Sequence, residues 1–168
     1  MTLIEIPKMY WDACIWIELI NSTNRNWVAR CSHVLELAEN NKVELWTSAL
    51  TLAEVYKKKC HGEKIGIVEN EDERFENLIQ AEFVRKINVD IEVGNLARRL
   101  LRKYPKIGKP QDAIHVASCL IYNLDELHTF DEEDLLGFDN VLMRKDKKPL
   151  KICKPPMSAE PDMFADSP

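Results

Sequence analysis

Four carboxylates fall at places where a folded chain commonly presents chemistry. Asp12 ends an apolar run that begins at Ile6, and Glu54 sits in Ser48-Ala49-Leu50-Thr51-Leu52-Ala53-Glu54, just past the run Val43–Trp46. Asp112 stands in the first turn of a helix opened by Pro110, and Asp131 closes Leu127-His128-Thr129-Phe130. Each has a structural reading of its own. Asp12 could cap the helix after it, and Asp112 could favour the positive end of its helix. Thr51 to Glu54 matches a capping box, and Asp131 could cap Glu132 onward with Asp134 as its boxed partner. Taken together, four carboxylates crowded at one place repel unless something positive sits among them. A hard divalent cation meets that need, because Mg²⁺ and Mn²⁺ prefer carboxylate oxygen and water. Such an ion activates a water and steadies charge on a phosphoryl group.

Chain order spreads these acids widely, so the elements between them must do the gathering. Ile6–Trp11 reads as a strand, Ala13–Ile20 and Trp27–Asn40 as helices, and Val43–Trp46 as a second strand. Thr47–Lys59 reads as a helix with Leu50, Ala53 and Val55-Tyr56 inward, followed by a loop over His61–Asn70. Asp72–Gln80 is expected helical, Phe83–Val89 a strand closed by Asp90 as a cap, and Ile91–Tyr104 a helix ending before Pro105. Pro110 fits the first position of the next helix, where its missing N–H costs nothing, and Ala113, Ile114, Val116, Ala117, Leu120 and Ile121 give that helix a broad buried face. A strand at Leu127, a short helix over Glu132–Leu136 and a last strand over Leu150–Cys153 complete the pattern. Strands alternating with helices predict an α/β fold, a three-layer α/β/α sandwich around a mostly parallel sheet. Ligands bind such sheets beyond the carboxyl ends of the strands, which is where Asp12, Glu54 and Asp131 fall and where the Asp112 helix begins.

With these pieces in order, the chain resembles the PIN-domain nucleases, in particular the small VapC-like toxins. The resemblance runs from about Ile6 to Cys153. It rests on Asp12 after a strand, on Glu54 in its Ser48–Glu54 segment, on Asp112-Ala113-Ile114-His115 with its apolar helix, and on Thr129-Phe130-Asp131. It implies a pocket in which Asp12, Glu54, Asp112 and Asp131 bind Mg²⁺ or Mn²⁺, and metal-dependent cleavage of RNA in which an activated water attacks in line and leaves a 5′ phosphate. It further implies a type II toxin neutralised by an antitoxin protein whose tail fills the acidic groove. The helices near 27–40 and 51–59 would pair two such chains as a homodimer. One departure is Cys14, where the family often carries a small hydroxyl or amide two residues after the first acid. A thiol is a poor partner for a hard ion, so Cys14 reads first as a small buried residue. Thr129 and Asp134 are accessory candidates, the first as a hydroxyl aimed into the pocket, the second as a further acid of the metal shell. His115, three residues after Asp112, reads as a hydrogen-bonded histidine before a metal ligand.

Composition bounds the remainder. At 168 residues, 45% apolar and 30% charged, the chain fits one domain over 1–154 with a polar, proline-rich and disordered tail over 155–168. No apolar run is long enough to span a bilayer, and the opening residues lack a basic segment followed by an apolar one. The five cysteines are odd in number and hold no C-x-x-C pair, which argues against a disulfide framework or a zinc site and for a reducing cytoplasm. The Cys60-His61 pair has no partners spaced to complete a ligand set. Net charge is −5, yet Lys57-Lys58-Lys59, Arg98-Arg99 with Arg102-Lys103, and Arg144-Lys145 with Lys147-Lys148 form basic groups. They read either as helix-end cations or as a phosphate-tracking surface. Trp11, Trp16, Trp27 and Trp46 read as core or interface. Two rivals remain beside the nuclease: a PIN-like module that binds RNA or protein without catalysis, which Cys14 keeps in play, and a phosphoacceptor receiver domain. The receiver wants adjacent acids after its first strand and a lysine after its last. Here one acid and Leu150-Lys151-Ile152-Cys153-Lys154 stand instead, so it ranks last.

Overall fold

A computed structural model describes residues 5–21, 23–60 and 63–158. In chain order the elements are β1 (Lys8–Trp11), α1 (Ala13–Asn21), α2 (Arg25–Glu39), β2 (Glu44–Ser48), α3 (Ala49–Glu54), β3 (Lys57–Cys60), β4 (Glu63–Gly66), α4 (Glu69–Ile79), β5 (Val84–Ile87), α5 (Ile91–Lys103), α6 (Pro110–Ile121), β6 (Glu126–His128) and β7 (Lys151–Cys153). Single 3₁₀ turns lie at Pro105–Ile107 and Leu136–Phe138. Residues 1–4, His61 of the Cys60-His61 pair and residues 159–168 of the expected tail lie outside the described residues.

Five strands form one parallel sheet in the order β5-β2-β1-β6-β7, with Tyr10 of β1 paired to Trp46 on one side and Leu127 on the other. The pleat sends alternate residues to opposite faces. Met9, Trp11 and Leu45 pack against α1, α2 and α4, where Trp16 meets the ring of Trp11 edge-on at 4.9 Å. Tyr10, Leu127 and Ile152 pack against α5 and α6, through Val93, Ala97, Ala113 and Val116 among others. These two apolar layers are the α/β/α sandwich expected from the alternation of elements. The chain lays β2 and β5 on one side of β1 and then returns to lay β6 and β7 on the other. The switch point therefore lies between the carboxyl ends of β1 and β6.

The expected helix over Thr47–Lys59 is cut short. Ser48, not Thr51, caps α3 by accepting from Leu50 N, and Val55 is buried in the core. The helix stops at Glu54, and β3 and β4, expected as a helix end and part of a loop, pair antiparallel in a hairpin separate from the main sheet. The capping box at Thr51–Glu54 is thereby overturned, since Thr51 is buried and its hydroxyl accepts from that of Thr47 at 3.0 Å. β1 begins at Lys8 because Pro7 has no N–H to give a ladder. The Glu132–Leu136 helix is only turns. At the far end Pro155 is buried and its carbonyl accepts from Arg30 Nη1 at 2.8 Å, so chain contacts continue one residue past 154.

Candidate active site

Asp12 follows β1 directly at the switch point and is buried. Its Oδ1 accepts from the backbone N–H of Cys14 at 3.1 Å and of Ile15 at 3.3 Å, so it caps α1. Burial raises its pKa, against the pull of His115. The Cys14 thiol donates to the same Oδ1 at 2.8 Å and lies 3.4 Å from the Thr129 hydroxyl, while Phe130 N–H donates to the sulfur at 3.2 Å. Burial and the Asp12 charge push the Cys14 thiol well up, which keeps it a protonated donor. Cys14 thus joins the start of α1 to the segment after β6, a use that its reading as a small buried residue did not contain.

Asp112, Asp131 and Asp134 each bring a carboxylate oxygen to within 4.8 Å of the others. Asp131 arrives on the segment after β6, where its N–H donates to Thr129 Oγ1 and its Oδ1 accepts from Glu133 N and Asp134 N, both at 3.1 Å. That frees Asp134 from the role of boxed cap partner, and its side chain turns to Lys109 Nζ at 2.8 Å. Among the described residues the buried Asp112 Oδ2 has no hydrogen-bond partner, and Lys109 Nζ lies 4.0 Å from it. Desolvation, with the charges of Asp131 and Asp12 added, raises Asp112 to about 6 although Lys109 and His115 oppose it. An unpartnered buried carboxylate oxygen facing two more carboxylates is a donor set suited to a hard divalent cation. Asp112, Asp131 and Asp134 are the residues able to hold one.

Glu54 stands at the end of α3 and outside that trio. Its Oε2 lies 2.7 Å from His115 Nε2, and the Tyr10 hydroxyl lies 2.6 Å from His115 Nδ1. A carboxylate only accepts, so Nε2 carries a proton. Burial lifts the Tyr10 phenol well above its ordinary value, keeping it a donor to Nδ1. The chain Tyr10–His115–Glu54 fixes the carboxylate from below and makes His115 the hydrogen-bonded residue expected. Sequence gave no sign of Tyr10, which reads as one more buried strand residue. Lys109 was also missed, although a cation beside Pro110 at the start of an acid-bearing helix was a usable signal.

Of these residues, Cys14, Glu54, Lys109, Asp131 and Asp134 border a groove of about 780 Å³. Glu54, Asp131 and Asp134 line it on the acidic side, and Lys57, Lys58 and Lys64 from the hairpin line it elsewhere. Trp27, expected as core or interface, stacks on Phe130 in the groove lining at 4.2 Å between centroids and 8° between planes. Arg144, counted with the basic surface, is instead buried in ion pairs with Asp125 and Asp146.

A second cluster, Glu126, His128 and Cys153, lies at the β6–β7 edge. The Trp11 indole N–H, which can only donate, points to His128 Nδ1 at 3.1 Å, so Nε2 bears the proton and gives it to Glu126 Oε2 at 2.8 Å. That bond holds Glu126 down at about 2. With both ring nitrogens engaged, the cluster is a structural clasp between strands.

The profile of the PIN domain family matches residues 9–141. No curated protein matches the chain in sequence. Among solved structures, a toxin–antitoxin complex from Klebsiella pneumoniae is 23% identical, with 77% of this chain and 91% of that chain covered and a TM-score of 0.52. VapBC2 from Rickettsia felis, bound to a promoter DNA fragment, is 14% identical over 86% of this chain and 98% of that one, with a TM-score of 0.56. VapC20 from Mycobacterium tuberculosis, described as a toxin that cleaves the sarcin–ricin loop, is 16% identical over 73% and 89% respectively, with a TM-score of 0.54. These likenesses are likenesses of fold.

Proposed function

The chain belongs to the PIN domain family, and on that premise we propose that it is a Mg²⁺- or Mn²⁺-dependent endoribonuclease, the toxin of a toxin–antitoxin pair. The observation that carries this reading is the convergence of Asp112, Asp131 and Asp134 around the unpartnered Oδ2 of Asp112. When bound there, the ion supplies activation of a water and neutralisation of charge on the scissile phosphate. Asp112, Asp131 and Asp134 would hold it, with the negative charge of Asp12 acting on Asp112. Glu54, held by His115, is the groove-lining acid placed to orient the water. Lys109, between Asp134 and Asp112, offsets their mutual repulsion and offers an ammonium to a phosphate oxygen. Cys14 positions Asp12 through its thiol, and Thr129 positions Asp131 by accepting from its N–H, in place of the hydroxyl aimed into the pocket that the sequence suggests for Thr129.

RNA as substrate, an antitoxin as partner, a homodimer through the segments near 27–40 and 51–59, the second of which is helical only as far as Glu54, and a cytoplasmic site of action belong to the same reading. The toxin–antitoxin complexes among the structures of like fold support the partner. No described helix is long and apolar enough to cross a membrane. Lys109 already bonded to Asp134 favours a second reading, a pocket neutralised from within that binds RNA without cutting it.

The test is incubation of the purified chain with mixed tRNA and rRNA under Mn²⁺, Mg²⁺ or chelator, beside D112N. Discrete cuts that need metal and vanish in D112N are expected. Folded protein, freed of any copurified inhibitor, that cuts no RNA pool with either metal would leave the binding module standing.

A further inference from the structure

We propose that the β3–β4 hairpin is an arm that holds single-stranded RNA against the acidic pocket, with Lys57 and Lys64 on its phosphates and Tyr56 under a base; this rests on the nuclease reading above. The chain is net −5, yet residues 57–66 carry four lysines against one glutamate. The hairpin has only two strands, stands apart from the main sheet, and is exposed along the whole of β4. Such a pair contributes little to stability on its own, so a packing role does not account for it. Edge strands also carry lysine to discourage pairing with other chains. That explanation covers any exposed lysine and does not require Lys57 and Lys64 to line the groove that also contains Glu54, Asp131 and Asp134.

The register makes the arrangement directional. Lys59 pairs with Lys64, and Lys57 lies two residues before Lys59, so Lys57 and Lys64 stand on one face of the hairpin. Lys58 is spent on an ion pair with Glu71 of α4, and Ile67 N–H donates to Tyr56 O at 3.2 Å, which together fasten the arm at its base. Tyr56 is 59% exposed, and the Lys57 ammonium lies 4.6 Å from its ring centroid. An exposed ring beside lysines is the combination that takes up single-stranded nucleic acid, stacking for the base and charge for the backbone. One groove thus carries acids at one part and an aromatic, basic strip at another. A phosphodiester backbone gains from the strip and needs a cation only where it meets the acids. An acidic peptide would use the lysines and leave the tyrosine face without a partner.

The experiment measures binding of a fluorescein-labelled single-stranded RNA 12-mer to the full chain by anisotropy in chelator, where nothing is cut. Wild type, K57E/K64E, K57Q/K64Q, Y56A and R98E/R102E, the last on exposed positions of α5, are compared at several salt concentrations. K57E/K64E is expected to lose about tenfold or more in affinity and to flatten the log–log salt slope by about 1.4, two phosphate contacts' worth for a single strand. K57Q/K64Q should show the same flattening with a smaller loss, Y56A should lose at least about fivefold with the slope kept, and R98E/R102E should match wild type. Thermal melting of each variant confirms that it is folded. Equal affinity and slope for wild type and the lysine variants overturn the arm, as does an equal loss in R98E/R102E, which would mean that only net charge counts. Cleavage by wild type with Mn²⁺ is read separately. Cutting with no effect of the lysine variants sinks the arm and leaves the nuclease. Hairpin-dependent binding with no cutting sinks the nuclease and leaves the arm. A labelled acidic peptide that binds wild type and not K57E/K64E, while RNA does not bind, overturns RNA as the occupant.

Discussion

At the scale of the residue, Asp112 shows how a buried carboxylate without a hydrogen-bond partner costs the fold that carries it. Its raised pKa of about 6 comes first from desolvation. Below the ordinary carboxylate range both the folded and the unfolded chain hold the proton, and the position is neutral in its effect. As pH rises toward 6 the unfolded chain releases its proton while the folded chain keeps it, so stability falls, and it levels off once both are ionised. Asp112→Asn removes that penalty. In chelator, D112N should melt with wild type near pH 4 and a few degrees above it at pH 8, as followed by circular dichroism. A difference that is constant across pH would mean that Asp112 is ionised in the fold without strain. The same substitution abolishes cleavage on the nuclease reading, the familiar opposition between stability and function.

At the scale of the element, the hydrogen-bonded chain Tyr10–His115–Glu54 ties three segments that are distant in sequence: β1, α6 and the end of α3. α3 has six residues and needs such an anchor, because a helix that short has little stability of its own. Tyr10→Phe removes only the hydroxyl and leaves His115 Nδ1 buried without a donor. Such a loss costs about 1–3 kcal/mol. Urea unfolding should show a lower midpoint for Y10F with an unchanged slope, the sign that stability and not compactness has changed. An unchanged midpoint would mean that a water takes the place of the phenol. Side-chain caps open two further helices: Asn24 accepts from Asn26 and Trp27 N–H at the start of α2, and Asp90 from Val93 N–H at 2.9 Å at the start of α5, as expected for Asp90.

At the scale of the whole molecule, the pocket belongs to the folded chain alone, since Asp112 on α6 and Asp131 and Asp134 after β6 come from separate segments and meet only once the sheet has assembled. A cation that binds there stabilises the fold by mass action. Saturation at a hundred times Kd contributes about 2.7 kcal/mol. For a domain of this size that corresponds to a rise in Tm of about 5–10 °C. Mn²⁺ should produce such a shift in wild type and not in D112N, by scanning calorimetry with chelator as the baseline. Equal shifts in both proteins would place the ion elsewhere.

The sequence by itself determined the alternation of strands and helices, because hydrophobic period and the caps at Asp90 and Pro110 are local properties that each segment carries alone. It also placed Asp12, Asp112 and Asp131 at element ends, and the sheet rule then directed them to one edge. What it could not determine was which side chains meet. The hairpin replaces an expected helix end and part of a loop, and Tyr56, expected inward with Val55, stands 59% exposed, because strand pairing between Lys57–Cys60 and Glu63–Gly66 is a contact that no single segment carries alone. Asp134 leaves its capping role for Lys109, and Glu54 leaves its capping box for His115, because their partners come from residues 25 and 61 positions away. Arg144 counts as surface charge until the fold closes over it and pairs it with Asp125. Local chemistry is written in order along the chain, whereas pairing, burial and the groove depend on distances that exist only once the sheet has assembled.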